Sequence, residues 1–311
     1  MDYAAAIKRL RQEKNAVIMA HYYQRNEIQD VADCIGDSLY LAQQAALTQA
    51  DIIVMCGVHF MGETCKILCP DKKVLVPDLN AGCSLADSCP ADKFADFVHQ
   101  HPGYTVLSYV NTTAAVKAHT DIVVTSGNAV KIVNSLPKDE KIIFGPDRNL
   151  GAYINAVTGR NMLLWDGACH VHEQFSAEAI VKMKQEHPDA QVLVHPECKK
   201  PVVLLADKVG STAVLLKYAV ESACQTFIVA TESGILHEMQ RQAPGKTFLP
   251  VPPETSEANI GCHCNECSYM RLNTLEKLYL CLRDETPEIT VDPALIGKAV
   301  KPIRRMLELS K

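Results

Sequence analysis

Short runs rich in valine and isoleucine alternate with helical patterns along most of the chain. The runs are continuously apolar, which is typical of strands buried on both faces of a parallel sheet. Helical segments lie between them, such as Ser38–Ala50 and Ala213–Ala223. The pattern predicts an α/β protein, and its strand candidates are Val17–Ala20, Ile52–Cys56, Val74–Val76, Thr105–Tyr109, Ile122–Thr125, Lys141–Phe144, Gln191–Val194, Phe227–Ala230 and Thr247–Leu249.

The strand candidates occur in three sets with the same order. The first strand of each set ends in two polar residues two positions apart: His21 and Tyr23, Tyr109 and Asn111, His195 and Glu197. The second strand follows after 35 residues in the outer sets but after 16 in the middle one, which predicts a shortened connection there. We interpret the repeat as three related α/β units of roughly 85–100 residues.

The carboxyl ends of parallel strands carry the chemistry in open α/β sheets. Each unit therefore offers a small polar cluster at one edge of its sheet. Because the polar pairs are rich in titratable groups, we expect the three edges to face one another around one pocket. The alternative is three separate units whose polar residues are ordinary loop residues.

Cysteine is the unusual feature of the composition, with 13 in a chain of 311 residues. The formal net charge of −5 gives no general attraction to nucleic acid or to an anionic membrane. The N-terminus lacks the apolar stretch of a signal peptide, and no window approaches the ~20 apolar residues of a membrane span. We therefore expect a cytoplasmic protein with reduced thiols, which serve as metal ligands, in redox chemistry or as core residues. Cys34, Cys224 and Cys281 have the apolar surroundings of core residues.

Three other cysteines lie in loop-like segments, one in each unit. Cys83 and Cys169 follow glycine turns, and Cys267 closes the segment GCHCNEC. One loop cysteine from each unit could converge on a single centre. Thiolates select zinc or iron–sulfur clusters, and three of them would leave one coordination position open for catalysis.

Two other uses of the C-terminal cysteines remain open. Cys262, His263, Cys264 and Cys267 could form a local zinc clip, although the spacing C-x-C-x-x-C is cramped and no second C-x-x-C lies nearby. Cys264 and Cys267 could instead form a redox disulfide, which would compete with metal binding.

Candidate anion sites accompany the cysteines. Ser38 and Thr212 each open a helix 17 residues after the histidine of a strand-end pair, and Ser211 precedes Thr212. A helix N-terminus with a hydroxyl group attracts phosphate or carboxylate, although such residues also act as N-caps without a ligand. Ser126 follows the second strand of the middle unit. Because the chain has neither a P-loop nor a dinucleotide fingerprint, nucleotide binding has little support.

The titratable residues near these sites suit proton transfer around carbonyl and imine carbons. Glu197 is the best candidate base. A carboxylate in a closed pocket loses its solvation, so we expect its pKa to be raised toward neutrality. The candidate hydrogen-bond and proton donors around it are His21, His172, His195, Tyr23 and Tyr109.

Segments along nearly the whole chain resemble, in order, those of the quinolinate synthase A family. They are HYYQ, GDSLYLA, MGETCKILCPDKKVLVPDLNAGCSLADSC, YVNTTAAVKA, TSGNAVKIV, FGPDRNLGAYI, WDGACHVHEQF, VHPEC, GSTAVLLKYA and CSYMRLNTLEKLY. The resemblance implies three pseudo-symmetric α/β/α sandwich units with parallel sheets around a central active site. It also implies that iminosuccinate (iminoaspartate) condenses with dihydroxyacetone phosphate to quinolinate, phosphate and water, in de novo NAD biosynthesis.

The implied cofactor is an oxygen-sensitive 4Fe–4S cluster, one per chain, with three cysteine ligands and one iron open to substrate. Carried over by motif, the ligands are Cys83, Cys169 and Cys267. Cys267 is chosen among the C-terminal cysteines because the matching segment SYMRLNTL follows it. Cys89 is a rival to Cys83.

The resemblance also assigns roles to named positions. The implied catalytic side chains are Glu197, Tyr23, His195, Tyr109 and His21. The implied substrate-binding positions are His21, Ser38, Tyr109, Val110, Asn111, Ser126, His172, His195, Pro196, Glu197, Ser211 and Thr212. The carboxyl and phenol groups would move protons, and the hydroxyl groups would hold the anionic ends of the substrates.

We expect the units to span 1–85 with 270–311, 86–170, and 171–269 with the C-terminal cysteine segment. The expected partners are the two substrates and, functionally, an L-aspartate oxidase or dehydrogenase that supplies iminosuccinate; neither nucleic acid nor a membrane is expected. Two other functions stay open: a zinc-dependent aldolase or lyase using the same residues, and a non-catalytic iron–sulfur redox sensor. A sensor would usually carry a basic binding element, but the basic cluster Lys298–Arg305 fits a solvated face of a helix that begins after Asp292.

Overall fold

The computed structural model describes residues 1–253 and 265–311. The described residues form three parallel sheets of four strands each, flanked by helices. This confirms the predicted α/β class with repeated α/β/α units. Among the residues described, no helix is both long enough and apolar enough to cross a membrane.

The strands fall into three sets of four in chain order. The first sheet contains β1 (Ala16–His21), β2 (Cys34–Gly36), β3 (Ile52–Cys56) and β4 (Lys73–Leu75). The second contains β5 (Thr105–Tyr109), β6 (Ile122–Val124), β7 (Ile142–Gly145) and β8 (Leu163–Leu164). The third contains β9 (Gln191–Val194), β10 (Lys208–Val209), β11 (Thr226–Ala230) and β12 (Thr247–Pro250). In every sheet the spatial order is second, first, third, fourth.

Helices fill the connections between these strands. Around the first sheet they are α1 (Tyr3–Glu13), α2 (Asn26–Gln29), α3 (Ser38–Leu47), α4 (His59–Leu68) and α5 (Ser84–Asp87). Around the second they are α6 (Ala91–His99), α7 (Ala114–Lys117), α8 (Ala129–Ser135) and α9 (Arg148–Thr158). Around the third they are α10 (Ala177–Glu186), α11 (Lys200–Val203), α12 (Thr212–Glu221) and α13 (Ile235–Gln242), and the chain ends in α14 (Leu275–Asp284) and α15 (Pro293–Leu309).

The pairing register repeats almost residue for residue in the three sheets. Paired residues of the first and second strands are 15 positions apart in each sheet. Paired residues of the first and third strands are 36, 37 and 36 positions apart, and those of the third and fourth strands 21, 20 and 21. The threefold repeat is therefore more regular than the sequence predicted.

The predicted shortened connection in the middle unit is wrong. The run DIVVTSG resembles DIIVMCG of the first unit, but it forms the edge strand β6, the counterpart of β2 and β10. The counterpart of β3 is β7. Because β6 and β3 are both entirely buried, their apolar patterns do not distinguish an edge strand from a central one.

All nine predicted strands are confirmed to within one residue at each end. The three that were not predicted, β2, β8 and β10, are edge strands of two or three residues, which is too short for a recognisable pattern. The helices α3 and α12 begin within one residue of the prediction. They end earlier, at Leu47 and Glu221, because Thr48 and Ser222 take up extended backbone conformations.

The C-terminal helices connect the units. Helix α14 packs against α1, whereas α15 contacts α4, α7 and β6. Ile303 and Met306 of α15 are fully buried in an apolar cluster that includes residues of the first two sheets. The predicted helix start after Asp292 is confirmed, because its side chain caps α15. The unit boundaries given above stay our proposal.

Candidate active site

One cavity lies where the carboxyl ends of the three sheets meet. It contains about 730 Å³ of space between atoms, a figure that includes space open to solvent. The predicted site residues that line it together are His21, Tyr23, Ser38, Cys83, Tyr109, Asn111, Ser126, Cys169, His172, His195, Glu197, Thr212 and Cys267. The polar strand ends thus face one shared space and not three separate surfaces.

Three residues that were predicted to bind substrate lie outside the lining of this cavity, as far as the described residues define it. Val110 is fully buried in the apolar core. The Ser211 hydroxyl caps α12 by accepting the Val214 N–H at 3.4 Å. Pro196 separates two residues that do line the cavity. Substrate contact at these positions stays a prediction that their side-chain positions do not support.

Polar residues repeat around the cavity with the symmetry of the sheets. A residue with a hydrogen-bonding ring stands at the end of each first strand, and a hydroxyl residue follows 17 positions later: His21 and Ser38, Tyr109 and Ser126, His195 and Thr212. Ser38 and Thr212 are the first residues of α3 and α12, and Ser126 lies between β6 and α8. The same interval separates Tyr109 from Ser126 in the sequence. The wrong match of β6 to β3 concealed that Ser126 is equivalent to Ser38 and Thr212.

Glu197 is buried among three hydrogen-bonding side chains. The Tyr109 hydroxyl donates to its Oε1 at 2.6 Å, and Nδ1 of His172 lies 3.1 Å from its Oε2. Nδ1 of His195 lies 3.7 Å from Oε1. Burial alone would raise the pKa of this carboxyl, but the two histidines and the tyrosine outweigh it and lower the pKa to about 2. The predicted rise toward neutrality is wrong, because the sequence indicates the burial but not the partners.

A threonine that the sequence did not single out connects two of the predicted residues. Thr231 Oγ1 lies 2.8 Å from the Tyr23 hydroxyl and 3.0 Å from Nε2 of His172. Because His172 also contacts Glu197, the polar contacts run continuously from Tyr23 to Glu197. Burial holds the pKa of the Tyr23 phenol well above its ordinary value, so this group keeps its proton. The one sequence signal for Thr231 is its place directly after a strand.

His21 and His195 make the same backbone contact in the first and third units. The N–H two positions later donates to Nδ1 of each ring, from Tyr23 at 3.2 Å and from Glu197 at 3.4 Å. Nδ1 is therefore an acceptor, and Nε2 carries the proton of the neutral ring. Burial lowers the pKa of His21 to about 4 and that of His195 to about 3. Both rings are thus neutral donors at pH 7, and Nε2 of His195 lies 3.3 Å from Ser126 Oγ.

The three predicted ligand cysteines start the same kind of backbone turn. Each cysteine carbonyl accepts the N–H four positions later: Cys83 from Asp87 at 2.9 Å, Cys169 from Glu173 at 3.0 Å, and Cys267 from Arg271 at 3.1 Å. Backbone N–H groups of the turn also point at each sulfur, and they come from Leu85 and Ala86, from His172, and from Tyr269 and Met270. The turn favours a negatively charged sulfur.

A second backbone contact repeats at these turns. The carbonyl two positions before each cysteine accepts an N–H from the residue three positions after the end of the third strand of its sheet. The pairs are Ala81 with His59 at 2.7 Å, Gly167 with Arg148 at 2.8 Å, and Asn265 with Ser233 at 3.1 Å. The fold therefore holds one cysteine per unit in the same way.

The donor set fits a metal or an iron–sulfur cofactor. Burial raises the pKa of Cys83 to about 12 and that of Cys267 to about 11, and it holds that of Cys169 well above its ordinary value. The charges of the three sulfurs act on one another, so each thiolate also disfavours its neighbours. A bound cation reverses this, because a coordinating thiol is deprotonated outright. An overlapping donor set, Cys169, His172 and Glu197, has ligand atoms within 4.8 Å of one another.

The other cysteines separate clearly from this set where the structure describes them. Cys89, the rival to Cys83, is buried against Phe94 in a core cluster of the second unit. Cys281 is buried as predicted, whereas Cys34 and Cys224 are only half-buried at the margins of the core. The zinc clip and the disulfide involve residues 262–264, which lie outside the described residues.

Comparison with known proteins identifies the family. A family model described as Quinolinate synthetase A protein (NadA) matches residues 5–308. The quinolinate synthase of Microcystis aeruginosa is 59% identical over 309 residues, covering 99% of this chain and 95% of that protein. That of Thermosynechococcus vestitus is 59% identical over 310 residues, with coverages of 100% and 96%, and that of Rippkaea orientalis is 57% identical over 309 residues, with 99% and 94%. The chain therefore belongs to the quinolinate synthetase A family of enzymes.

Proposed function

We propose that the cavity condenses iminosuccinate with dihydroxyacetone phosphate to quinolinate, phosphate and two water molecules. The atoms balance without an oxidant. The pyridine ring closes through one new C–C bond and one new C–N bond, while phosphate and two water molecules leave. One observation carries the proposal: each unit contributes one cysteine turn and one polar strand end to the same cavity. This step would serve NAD biosynthesis.

We assign Cys83, Cys169 and Cys267 as ligands of a 4Fe–4S cluster with one iron free of protein ligands. When bound, the cluster would supply a Lewis acid that polarises a substrate oxygen and helps it to leave. The N–H groups around each sulfur support this assignment, because such hydrogen bonds tune iron–sulfur centres. A single metal ion on Cys169, His172 and Glu197 would use only one of the three repeated cysteine turns.

Neutral donors would bind the anionic substrates. No lysine or arginine occurs among the described residues that line the cavity. The hydroxyl groups of Ser38, Ser126 and Thr212 would receive carboxylate or phosphate oxygens, and His21 and His195 would donate through Nε2–H. The N-termini of α3 and α12 would add a favourable field. Fixed dipoles of this kind stabilise anionic groups without reorganising during the reaction.

Glu197 would accept a proton during ring closure, as the candidate base. Its lowered pKa makes it a weak resting base, so the proton must move on quickly. Nδ1 of His172 lies 3.1 Å from the carboxyl group, and Thr231 connects the other ring nitrogen to Tyr23, so these side chains form a path for the proton. Tyr23 keeps its proton at pH 7 and would act as the acid.

We also propose a cytoplasmic setting with an L-aspartate oxidase or dehydrogenase as the source of iminosuccinate. Iminosuccinate hydrolyses readily as an imine, so a nearby source would favour its capture.

The test is anaerobic reconstitution of the full chain with iron and sulfide. We expect a brown protein with about four irons and four sulfides per chain that forms quinolinate and that air bleaches and inactivates. A zinc-dependent aldolase or lyase would carry no sulfide, and a redox sensor would carry sulfide but form no quinolinate. A colourless, air-stable protein with full activity would contradict the cluster assignment.

A further inference from the structure

Two buried carboxyl groups stand beside cysteine turns, and the proposed mechanism uses neither. Asp147 and Glu232 occupy equivalent positions after the third strands of their sheets. Asp147 lies four positions after Ile143, and Glu232 lies four positions after Ile228. These two isoleucines have the same place in the register of their sheets. Both carboxyl residues are 0% exposed. The first unit has Val58 at this register position, so it offers no carboxyl group there.

Glu232 joins the Cys267 turn to the end of β11. Its Oε1 accepts the backbone N–H of Cys267 at 3.1 Å and lies 3.4 Å from Nη2 of Arg271. Its Oε2 accepts the backbone N–H of Gly234 at 2.7 Å. Both oxygens are therefore engaged, one toward the cysteine and one toward its own loop.

Asp147 has the corresponding position beside Cys169. Its Oδ1 accepts the Leu150 N–H at 2.7 Å and caps α9. Burial and the charge of Glu197 hold the pKa of this carboxyl well above its ordinary value, although the N–H groups of Leu150, Cys169 and Asn149 favour the carboxylate form. The backbone on either side of it is clamped, since Asp147 and Gly167 form a parallel bridge. Its Oδ2 is buried without a hydrogen-bond partner of good geometry, so this carboxyl group is costly to keep here.

We infer that Asp147 and Glu232 are positioning residues that hold the turns of Cys169 and Cys267 in ligand geometry. The inference depends on the cluster ligands assigned under the proposed function. Glu232 accepts the N–H of Cys267 itself, and Asp147 is bridged to Gly167, two positions before Cys169, so each fixes the backbone that precedes the sulfur. At the Cys83 turn, only the backbone hydrogen bond from the His59 N–H to the Ala81 carbonyl holds the corresponding position. Loss of such outer partners of a metal site typically costs about 10–100-fold in metal affinity or activity.

Two conservative substitutions test the inference. Glu232→Gln and Asp147→Asn keep the side-chain shape but replace one acceptor oxygen with an NH2 donor. Asparagine is as good an N-cap as aspartate, so α9 keeps its cap in Asp147→Asn. Glu238→Gln is the matched control, because Glu238 is also a buried acid of the third unit but contacts Arg241 and Gln242.

The main readout is retention of the cluster and not turnover. Each full-length variant is reconstituted anaerobically, its iron and sulfide are counted, and the rate of iron loss to a ferrous chelator is followed. We expect Glu232→Gln and Asp147→Asn to lose iron about 10–100 times faster than the wild type. Glu238→Gln should lose it at the wild-type rate. The thermal midpoints of the apoproteins should fall no further in the two test variants than in the control.

The possible results separate the inference from the proposed function. Equal rates of iron loss in the wild type and both test variants would overturn the inference and leave the cluster assignment intact. Equally fast loss in Glu238→Gln would also overturn it, because a generally loosened core would then explain the effect. A wild type that binds no sulfide would overturn the cluster assignment, and the inference with it. If Glu232→Gln fails to fold, Asp147→Asn decides alone.

Discussion

The first and third units place the same backbone atoms at their strand ends but attach different chemistry to them. His21 and His195 each accept, at Nδ1, the N–H of the residue two positions later. That residue is Tyr23 in the first unit and Glu197 in the third. Burial holds the pKa of the phenol well above its ordinary value, whereas the neighbours of the carboxyl outweigh burial and lower its pKa to about 2.

The difference shows how equivalent positions of a repeated fold can hold an acid in one unit and a base in another. The sheet register and the histidine contact are common to both units, so the scaffold sets only where the third side chain stands. The partners then set its protonation. Glu197 has His172 and Tyr109 within 3.1 Å, while the Tyr23 hydroxyl contacts the neutral hydroxyl of Thr231. One strand end therefore keeps a proton at pH 7 and the other lacks one.

The largest expected effect comes from the feature that the units share, the cysteine turn. Cys83→Ser, Cys169→Ser and Cys267→Ser should each lose the cluster and all measurable quinolinate formation, because serine is a poor ligand for iron in place of a thiolate. Iron and sulfide counts after anaerobic reconstitution, together with a quinolinate assay, check this expectation.

Cys89→Ser is the matched control, since this thiol is buried in the core of the second unit. It should keep the cluster, and so should Cys262→Ser and Cys264→Ser. A full cluster in Cys267→Ser together with its loss in Cys264→Ser would move the third ligand to Cys264.

Glu197→Gln should have the next largest effect. The amide keeps the size and one acceptor oxygen but cannot take up a proton. General base catalysis typically contributes about 10²–10⁴-fold, so we expect turnover to fall within that range while the cluster and the fold remain. Anaerobic quinolinate formation measures the loss, and a substrate-induced change in the cluster spectrum should survive as the control. Near-normal turnover would remove Glu197 from the base role and make Tyr23 the next candidate.

Thr231→Val should have a smaller effect, because it removes the connection between the two units but neither of their reactive groups. Valine has the shape of threonine without its hydroxyl group, so Tyr23 and His172 both lose a partner. A hydrogen bond is worth about 0.5–1.5 kcal/mol net, which corresponds to about 2–12-fold in rate. If the hydroxyl relays protons, Tyr23→Phe should cost much less in the Thr231→Val background than in the wild type. Additive effects of the two substitutions on kcat would contradict the relay.

The sequence predicted the parts of the fold that depend on continuous apolar runs. All nine predicted strands formed, and the strand-end pairs and the helix starts 17 positions after two of them located part of the cavity lining. The pattern did not reveal strand order, because β6 and β3 have equally buried, similar sequences. That error alone concealed the equivalence of Ser126 to Ser38 and Thr212.

The site was predicted less completely, because long-range partners decide its electrostatics. Nothing near Glu197 in the sequence shows that Tyr109, 88 positions away, donates to it, so its pKa was predicted in the wrong direction. Thr231 and Glu232 were missed for the same reason. They follow a strand in the run ATES, where a polar residue is ordinary until its contacts with His172 and Cys267 are known.

The smallest expected effect tests whether His21 and His195 have similar protonation behaviour in the first and third units. Burial lowers the pKa of His21 to about 4 and that of His195 to about 3, against about 6.5 for an exposed imidazole. The unfolded chain therefore binds more protons than the folded one below pH 6.5, and stability must fall as the pH falls from 6.5 toward 4. Each histidine contributes a slope of at most about 1.4 kcal/mol per pH unit.

His21→Asn and His195→Asn should each flatten that slope by about one proton, which urea unfolding of the apoprotein between pH 7 and pH 5 can measure. His119→Asn is the control for the loss of an exposed imidazole. Equal flattening in the two test variants would mean that burial makes the two rings alike in both units. If neither substitution changes the slope, the folded protein already holds a second proton on each ring in this pH range. The rings would then be cations and would bind carboxylates as ion pairs and not as neutral donors.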